Sequence, residues 1–392
     1  MQKTIENKVF EIERAISSNI LPDDIGLFTG KSGVVLFYYY LFLYTNDEKY
    51  LDKCLHYLEI TLESLNNGGI NASFCSGLSG LMYLLDILNK SKLVDISGSE
   101  EIKIIEDYVR NEFMRMLAQK DFDFLHGSCG IAWVYLQNYE LNIDLISHYV
   151  KSLKKSAEEI DSDRIAWVTN NSENNKTKKR INLGLAHGIS GIIITLSRIV
   201  MLETDSKTAA ELLRKSVDFL LSERLNNNFI SVFPAYSGIY DKPQNSRLAW
   251  CYGDPGNMIT LWHAGKALND EKLTAYSIET GINSLKRDNA DKAYIKDTGL
   301  CHGAVGLTSI YYRFYLHTRD PRFYDASKTW LDYTLINGNY ADGFAGFKKY
   351  YNNSLCKMDS ALLNGISGVG LTLLTFLNTE IKPDWDTCFM LS

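Results

Sequence analysis

Gly188-Ile189-Ser190-Gly191-Ile192-Ile193-Ile194-Thr195-Leu196 is a pair of glycines three apart that opens a run apolar nearly all round. The same G-x-x-G recurs as Gly30-Lys31-Ser32-Gly33, Gly77-Leu78-Ser79-Gly80, Gly127-Ser128-Cys129-Gly130, Gly253-Asp254-Pro255-Gly256, Gly303-Ala304-Val305-Gly306 and Gly365-Ile366-Ser367-Gly368. Successive first glycines lie 47, 50, 61, 65, 50 and 62 residues apart, in the range of helical-hairpin repeats. A helix that is apolar on every side belongs in an interior, and Leu371-Thr372-Leu373-Leu374-Thr375-Phe376-Leu377 reads the same way.

Between these runs lie amphipathic stretches. Leu51, Leu55, Leu58, Leu62 and Leu65 recur at spacings of four and three and so share one stripe. Similar stripes fall in 4–19, 100–118, 143–159, 207–224, 271–286 and 321–336. Seven pairs of one outer amphipathic and one inner apolar helix predict an all-α protein, an α/α toroid or double-layered barrel of seven helical hairpins. An open α-solenoid is the alternative, but its wet concave face would not make the inner helices apolar all round. The glycines permit a tight turn and close backbone approach at the mouth of each inner helix.

Composition agrees. The 392 residues are 45% hydrophobic and 22% charged, which excludes a disordered tail, a collagen-like fibre and a disulfide scaffold. Only six prolines occur, against the roughly twenty of a typical composition, as expected of a helical chain. Length alone suggests two or three domains of about 150 residues; the repeat replaces them with one domain spanning 1–392. Two stretches exceed what a helix pair needs, the charged, Asn-rich 155–182, read as a loop, and 227–247. The second holds Asn228-Phe229-Ile230-Ser231-Val232-Phe233-Pro234, the one convincing strand-like text. Both are expected to form a small irregular or β-containing rim elaboration.

A net charge of −6 argues against a nucleic-acid partner, which demands a basic face. Seven cysteines, an odd number lying far apart, and the absence of a signal-peptide core in residues 1–20 predict a cytoplasmic protein with reduced thiols. The most apolar run, Val34 to Tyr44, is well short of the roughly twenty residues that span a bilayer, so no membrane span is expected.

The residue before each first glycine is Thr29, Ser76, His126, His187, Tyr252, His302 or Asn364. In a ring these positions converge into a polar floor. Thr29, Ser76 and Asn364 suit helix capping; His and Tyr do not. Cys251-Tyr252-Gly253 and Cys301-His302-Gly303 add a cysteine at the same register in adjacent repeats. Two thiolates and an imidazole make the ligand set of a zinc that keeps one position open, suited to holding a third, substrate thiol as an electron-rich nucleophile. Cys75 has the same register but a distant repeat, and with Cys54, Cys129, Cys356 and Cys388 reads as packing; His56, His148, His263 and His317 fall within helices. His187 is suited to proton transfer at neutral pH, and Asp123 to orienting or charging a histidine from the loop entering the third inner helix.

Trp250-Cys251-Tyr252-Gly253, Cys301-His302-Gly303, Gly184-Leu185-Ala186-His187-Gly188 and the tail Asp384-Trp385-Asp386 resemble the lanthionine synthetase C-like proteins, specifically the free-standing cyclases of class I lanthipeptide biosynthesis. The resemblance implies one zinc, with ligands that map to Cys251, Cys301 and His302. It implies addition of a peptide cysteine thiolate to dehydroalanine or dehydrobutyrine, giving a lanthionine or methyllanthionine thioether. The family's acid/base and enolate-stabilising residues map to His187, Asp123, Arg247 and Tyr252. A cation such as Arg247 or a donor such as protonated His187 would stabilise the enolate, and His187 suits the later proton delivery better than Tyr252 on pKa grounds. His126 is an extra site residue or a hydrogen bonder of the floor. Implied partners are a dehydrated precursor peptide with its leader, bound at 155–182 and 227–247, and a dehydratase and export transporter that would bring the enzyme to the membrane periphery. Two other readings use similar parts: a zinc-dependent thiol prenyltransferase, and a non-catalytic peptide- or glutathione-binding member of the same family.

Overall fold

The computed structural model describes residues 2–18, 21–173, 176–202, 207–351, 354–377 and 384–392, with side chains throughout except at 170–178. Each G-x-x-G opens a helix. In chain order the helices are α1 Gln2–Ser17, α2 Lys31–Thr45, α3 Glu48–Glu63, α4 Leu78–Lys90, α5 Glu100–Ala118, α6 Ser128–Tyr135, α7 Ile143–Ser156, α8 Ile189–Leu202, α9 Lys207–Ser222, α10 Asp254–Ala267, α11 Glu271–Ser284, the one-turn α12 Ala290–Ala293, α13 Ala304–Thr318, α14 Pro321–Ile336 and α15 Ile366–Leu377. The predicted amphipathic stripes are α1, α3, α5, α7, α9, α11 and α14. Among the described residues no helix is long and apolar enough to cross a membrane.

Contacts group the chain into two compact units, residues 1–110 with 295–392, and residues 111–294. In the first, α2 is buried from Ser32 to Leu41 and α13 from Ala304 to Phe314. The outer helices beside them bury one stripe each: Tyr50, Cys54, Tyr57, Leu58 and Thr61 on α3, and Phe323, Ser327, Trp330, Leu331 and Thr334 on α14. Helix α15 packs against α1, α2 and α13. The tail motif Asp384-Trp385-Asp386 starts a 3₁₀ turn, Asp384–Phe389. There Arg313 Nε and Nη2 donate to the buried Asp386 carboxylate at 2.8 and 2.5 Å, and Phe389 stacks on Phe28 at 4.5 Å. The motif therefore anchors the tail. In the second unit α8 packs against α6, α9 and α10, and α10 against α11.

The turns before the inner helices are built alike. Six residues ahead of the first glycine stand Asp24, Asn71, Asp121, Asn182, Arg247, Asp297 and Asp359. Oδ1 of Asn71, Asp121, Asn182, Asp297 and Asp359 accepts the backbone N–H two residues on, at 2.8–3.3 Å, the Asx turn these side chains favour. Ser32, Ser79, Ser128, Ser190 and Ser367 donate their hydroxyls to the carbonyl seven residues back. Neighbouring turns are stitched together: Phe28 N–H donates to the Cys75 carbonyl, Phe124 to Ala186, Leu185 to Cys251 and Leu300 to Leu363. Leu363 in the last turn donates to Phe28 in the first at 2.8 Å.

Three expectations are corrected. Thr29 and Ser76 do not cap helices: the N-caps of α2 and α4 are Gly30 and Gly77, without a side-chain cap bond. Thr29 Oγ1 instead donates to Asp24 Oδ2 at 3.0 Å, and Ser76 Oγ accepts from Asn71 Nδ2 at 3.1 Å. The stretch 155–182 is not simply a loop, because it carries two antiparallel hairpins, β1 Glu158–Glu159 with β2 Ile165–Ala166 and β3 Thr169–Glu173 with β4 Lys176–Arg180; Asn174 and Asn175 lie outside the described residues. A further hairpin, β5 Lys348–Tyr351 with β6 Ser354–Lys357, was not foreseen. Conversely, Asn228–Pro234 is not a strand. Its amides are taken by side chains: Ile230 and Ser231 N–H donate to Asn245 Oδ1, and Val232 and Phe233 N–H to the Asp254 carboxylate.

Candidate active site and metal centre

Within residues 111–294 the turn geometry brings His187 and Asp123 together. Phe124 N–H donates to the Ala186 carbonyl at 3.3 Å, which aligns the two loops, and Asp123 Oδ2 meets His187 Nδ1 at 2.6 Å. Asp123 Oδ1 accepts the His126 backbone N–H at 2.8 Å. Asp123 thus orients His187 rather than capping α6, whose N-cap is Gly127. Burial lowers the affinity of the His187 ring for its proton, but hydrogen bonding and charge attraction from Asp123, helped by Cys251, outweigh it and hold the pKa above the ordinary imidazole value.

The neighbouring rings converge on His187. The exposed His126 ring stacks on it at 6.2 Å, and the Tyr252 ring lies tilted to it at 6.3 Å. The Tyr252 hydroxyl accepts from Asn182 Nδ2 at 2.9 Å, and burial pushes its pKa up, so it stays a neutral phenol. Gly184 is what lets this turn pack: a Cβ there would stand 2.4 Å from the Cys251 carbonyl and 2.7 Å from the Tyr252 ring. Arg247 is exposed, and its guanidinium makes no hydrogen bond or ion pair among the described residues. It fills the one register position where the other six turns have Asp or Asn, so its side chain is released from turn-making. Gly253 takes the compensating positive φ of 85°.

Cys251 enters α10 and Cys301-His302 enters α13. Cys251 lies in residues 111–294 and Cys301-His302 in the other unit, and Cys251 and Cys301 are only 6% and 8% exposed. Two thiols and an imidazole suit a soft, tetrahedral ion such as zinc and leave one position open. All seven cysteines lie in the described residues and none of them is in a disulfide. Burial pushes the Cys54 thiol up to about 12 and Cys129 up to about 11, so these are inert packing groups, as expected.

Comparison with known proteins decides the family. The profile described as "Lanthionine synthetase C-like protein" matches residues 22–390. The chain belongs to this family. It is 24% identical over 344 residues to the nisin biosynthesis protein NisC of Lactococcus lactis subsp. lactis, covering 79% of each chain. It is 22% identical over 358 residues to glutathione S-transferase LANCL1 of Danio rerio, covering 86% of this chain and 82% of that one. The solved nisin cyclase matches with a TM-score of 0.74 at 20% identity, covering 99% of this chain and 97% of the other. The fold of this lanthionine synthetase C-like protein is therefore an α/α toroid, as the repeat predicts. Asn182, against Tyr252, was missed in the sequence, although its turn register is visible there.

Proposed function

We propose that this family member is a zinc-dependent lanthipeptide cyclase, which joins a substrate cysteine to a dehydroalanine or dehydrobutyrine of the same peptide as a thioether. The observation that carries the reading is the matched register of Cys251-Tyr252-Gly253 at the mouth of α10 and Cys301-His302-Gly303 at the mouth of α13, in a chain of the lanthionine synthetase C-like family. Zinc held by Cys251, Cys301 and His302 would take up a substrate thiol and keep it as a nucleophilic thiolate at neutral pH.

The remaining chemistry falls to the chain. As the sulfur bonds to the β-carbon, the alkene electron pair moves to the α-carbon and its carbonyl, and negative charge develops on the carbonyl oxygen. Arg247, exposed and unpaired, is the cation available to meet that charge, and the Tyr252 phenol is a neutral donor for it. His187, whose hold on its proton is strengthened by Asp123, delivers a proton to the α-carbon and completes the addition. The thiol proton leaves to solvent as the thiolate forms, and solvent returns one to His187 after it has protonated the α-carbon, so the addition balances with no redox partner or nucleotide.

The segments 155–182 and 227–247 are the proposed leader-peptide contacts of a single 1–392 cyclase domain. A dehydratase would supply the substrate and an exporter would take the product, in a cytoplasmic setting that keeps substrate thiols reduced. Incubating the protein with a dehydrated, cysteine-containing peptide and no ATP should remove alkylatable thiols without changing peptide mass. Cys301→Ala and His302→Ala should abolish this; full activity in both would refute the assignment. The LANCL1 relative, whose name is glutathione S-transferase, favours a second reading in which the thiol is glutathione. Appearance of a glutathione adduct on the dehydrated peptide, in place of ring closure, would select it.

A further inference from the structure

Asn182 is buried, 4% exposed, in the turn that leads to His187. Its Oδ1 accepts the Gly184 N–H at 2.8 Å, which fixes the orientation of the carboxamide and leaves Nδ2 facing the Tyr252 hydroxyl at 2.9 Å. A carboxamide nitrogen only donates. The phenol oxygen is therefore the acceptor in this contact, and its own O–H is left to donate elsewhere. The backbone braces the arrangement: Leu183 N–H donates to the Ala235 carbonyl and Ser237 N–H to the Ile181 carbonyl, so the 227–247 segment holds Asn182 from the far side. Tyr236, on that segment, packs its ring 6.0 Å from that of Tyr252 and lies under the Arg180 guanidinium at 4.9 Å.

We propose that Asn182 is a positioning residue that fixes the Tyr252 hydroxyl as a hydrogen-bond donor to the substrate carbonyl on which charge develops, an inference that rests on the cyclase reading above. The repeat supplies an internal control. Asp24, Asp121, Asp297 and Asp359 occupy the Asn182 register in other turns, and Asp121, Asp297 and Asp359 make the same Asx bond. Aspartate thus satisfies the turn. What it cannot do is donate to Tyr252: a carboxylate there accepts, draws the phenol proton to itself and removes it from the substrate.

The test compares Asn182→Asp, Asn182→Ala and Tyr252→Phe in cyclisation of a dehydrated peptide, with thermal stability measured alongside. Asn182→Asp should keep the wild-type Tm within a few degrees and leave KM unchanged, yet lose kcat by tenfold or more, to the level of Tyr252→Phe. The double variant Asn182→Asp/Tyr252→Phe should be no slower than either single one. Asn182→Ala breaks the turn but leaves the phenol proton free, so it should lose more Tm and less kcat than Asn182→Asp. A purely structural role predicts the opposite order, and that order would overturn the inference even if Asn182→Asp folded poorly, because Asn182→Ala can be set against Tyr252→Phe alone. Wild-type kcat in Asn182→Asp, or multiplying losses in the double variant, would also overturn it. A wild-type protein that closes no ring fails the cyclase reading itself, a result distinct from these.

Discussion

His187 is poised between two opposing effects. Burial lowers the affinity of the ring for its proton, and Asp123 at 2.6 Å more than offsets that. Asp123→Asn should therefore move the imidazole titration to lower pH, read from the ring signals by NMR; an unchanged midpoint would contradict the pairing. The same pair makes stability pH-dependent with a definite sign. A pKa raised in the folded state contributes stability that is full below the unfolded imidazole value and is lost as pH climbs through the folded one, and that slope should vanish in Asp123→Asn. Gly184 carries a packing prediction: Gly184→Ala drives a methyl group into the Cys251 carbonyl and the Tyr252 ring, an overpacking that costs about 1–3 kcal/mol. Denaturant melts should show that loss together with slower cyclisation. The proposed ligands and His187 could be singled out in the sequence because a repeat register sets residues far apart in the chain at equivalent positions, and the pairing of His187 with Asp123 then needed the fold. Arg247 was legible by resemblance, and the register marks it independently, since it alone breaks a column of Asp and Asn.

At the scale of elements, helices were readable and hairpins were not. An inner helix such as α8 is announced by its glycines and its all-round apolar run, an outer one such as α3 by its stripe. The strands β3 and β4 carry TNNSE and KTKKR, with no apolar alternation to betray them. The Asn228–Pro234 stretch misled for the reverse reason: its apolar text seats the segment against a carboxylate instead of in a sheet. Asp254, fully buried, accepts from Val232 and Phe233 N–H and lies 4.0 Å from Arg287, which also donates to the Ser246 carbonyl beside Arg247. Asp254→Ala should leave these donors without their acceptor, costing about 3–5 kcal/mol, with hydrogen exchange accelerated at Val232 and Phe233; protection equal to wild type would contradict this role. Burial pushes the Asp254 carboxyl up to about 6. Its protonated form therefore favours folding, and that contribution is present at pH 4 and lost as pH rises through about 6. Denaturant stability followed from pH 4 to 7 should show this fall in the wild type and lose it in Asp254→Asn.

For the whole molecule, the seven turns do two jobs with one design. Asx bonds, serine hydroxyls and turn-to-turn amide bonds shape the mouths of the inner helices, and the residues at those mouths can then differ: Thr29 and Ser76 close their own turns, whereas Cys251, Cys301, His302 and His187 are the residues to which we assign the proposed chemistry. Sevenfold organisation was visible in the glycines; the contact that ties the last turn to the first, Leu363 to Phe28, was not, because a backbone bond leaves no mark on side-chain identity. The central claim is that Cys251, Cys301 and His302 hold a zinc that accepts a substrate thiol. Zinc K-edge X-ray absorption on the purified protein, before and after adding a cysteine-containing dehydrated peptide, tests it directly. The account predicts about one zinc per chain with two sulfur ligands, rising to three with peptide, and no bound zinc in Cys301→Ala. Carefully prepared protein without zinc, or a sulfur count that the peptide leaves unchanged, would contradict it.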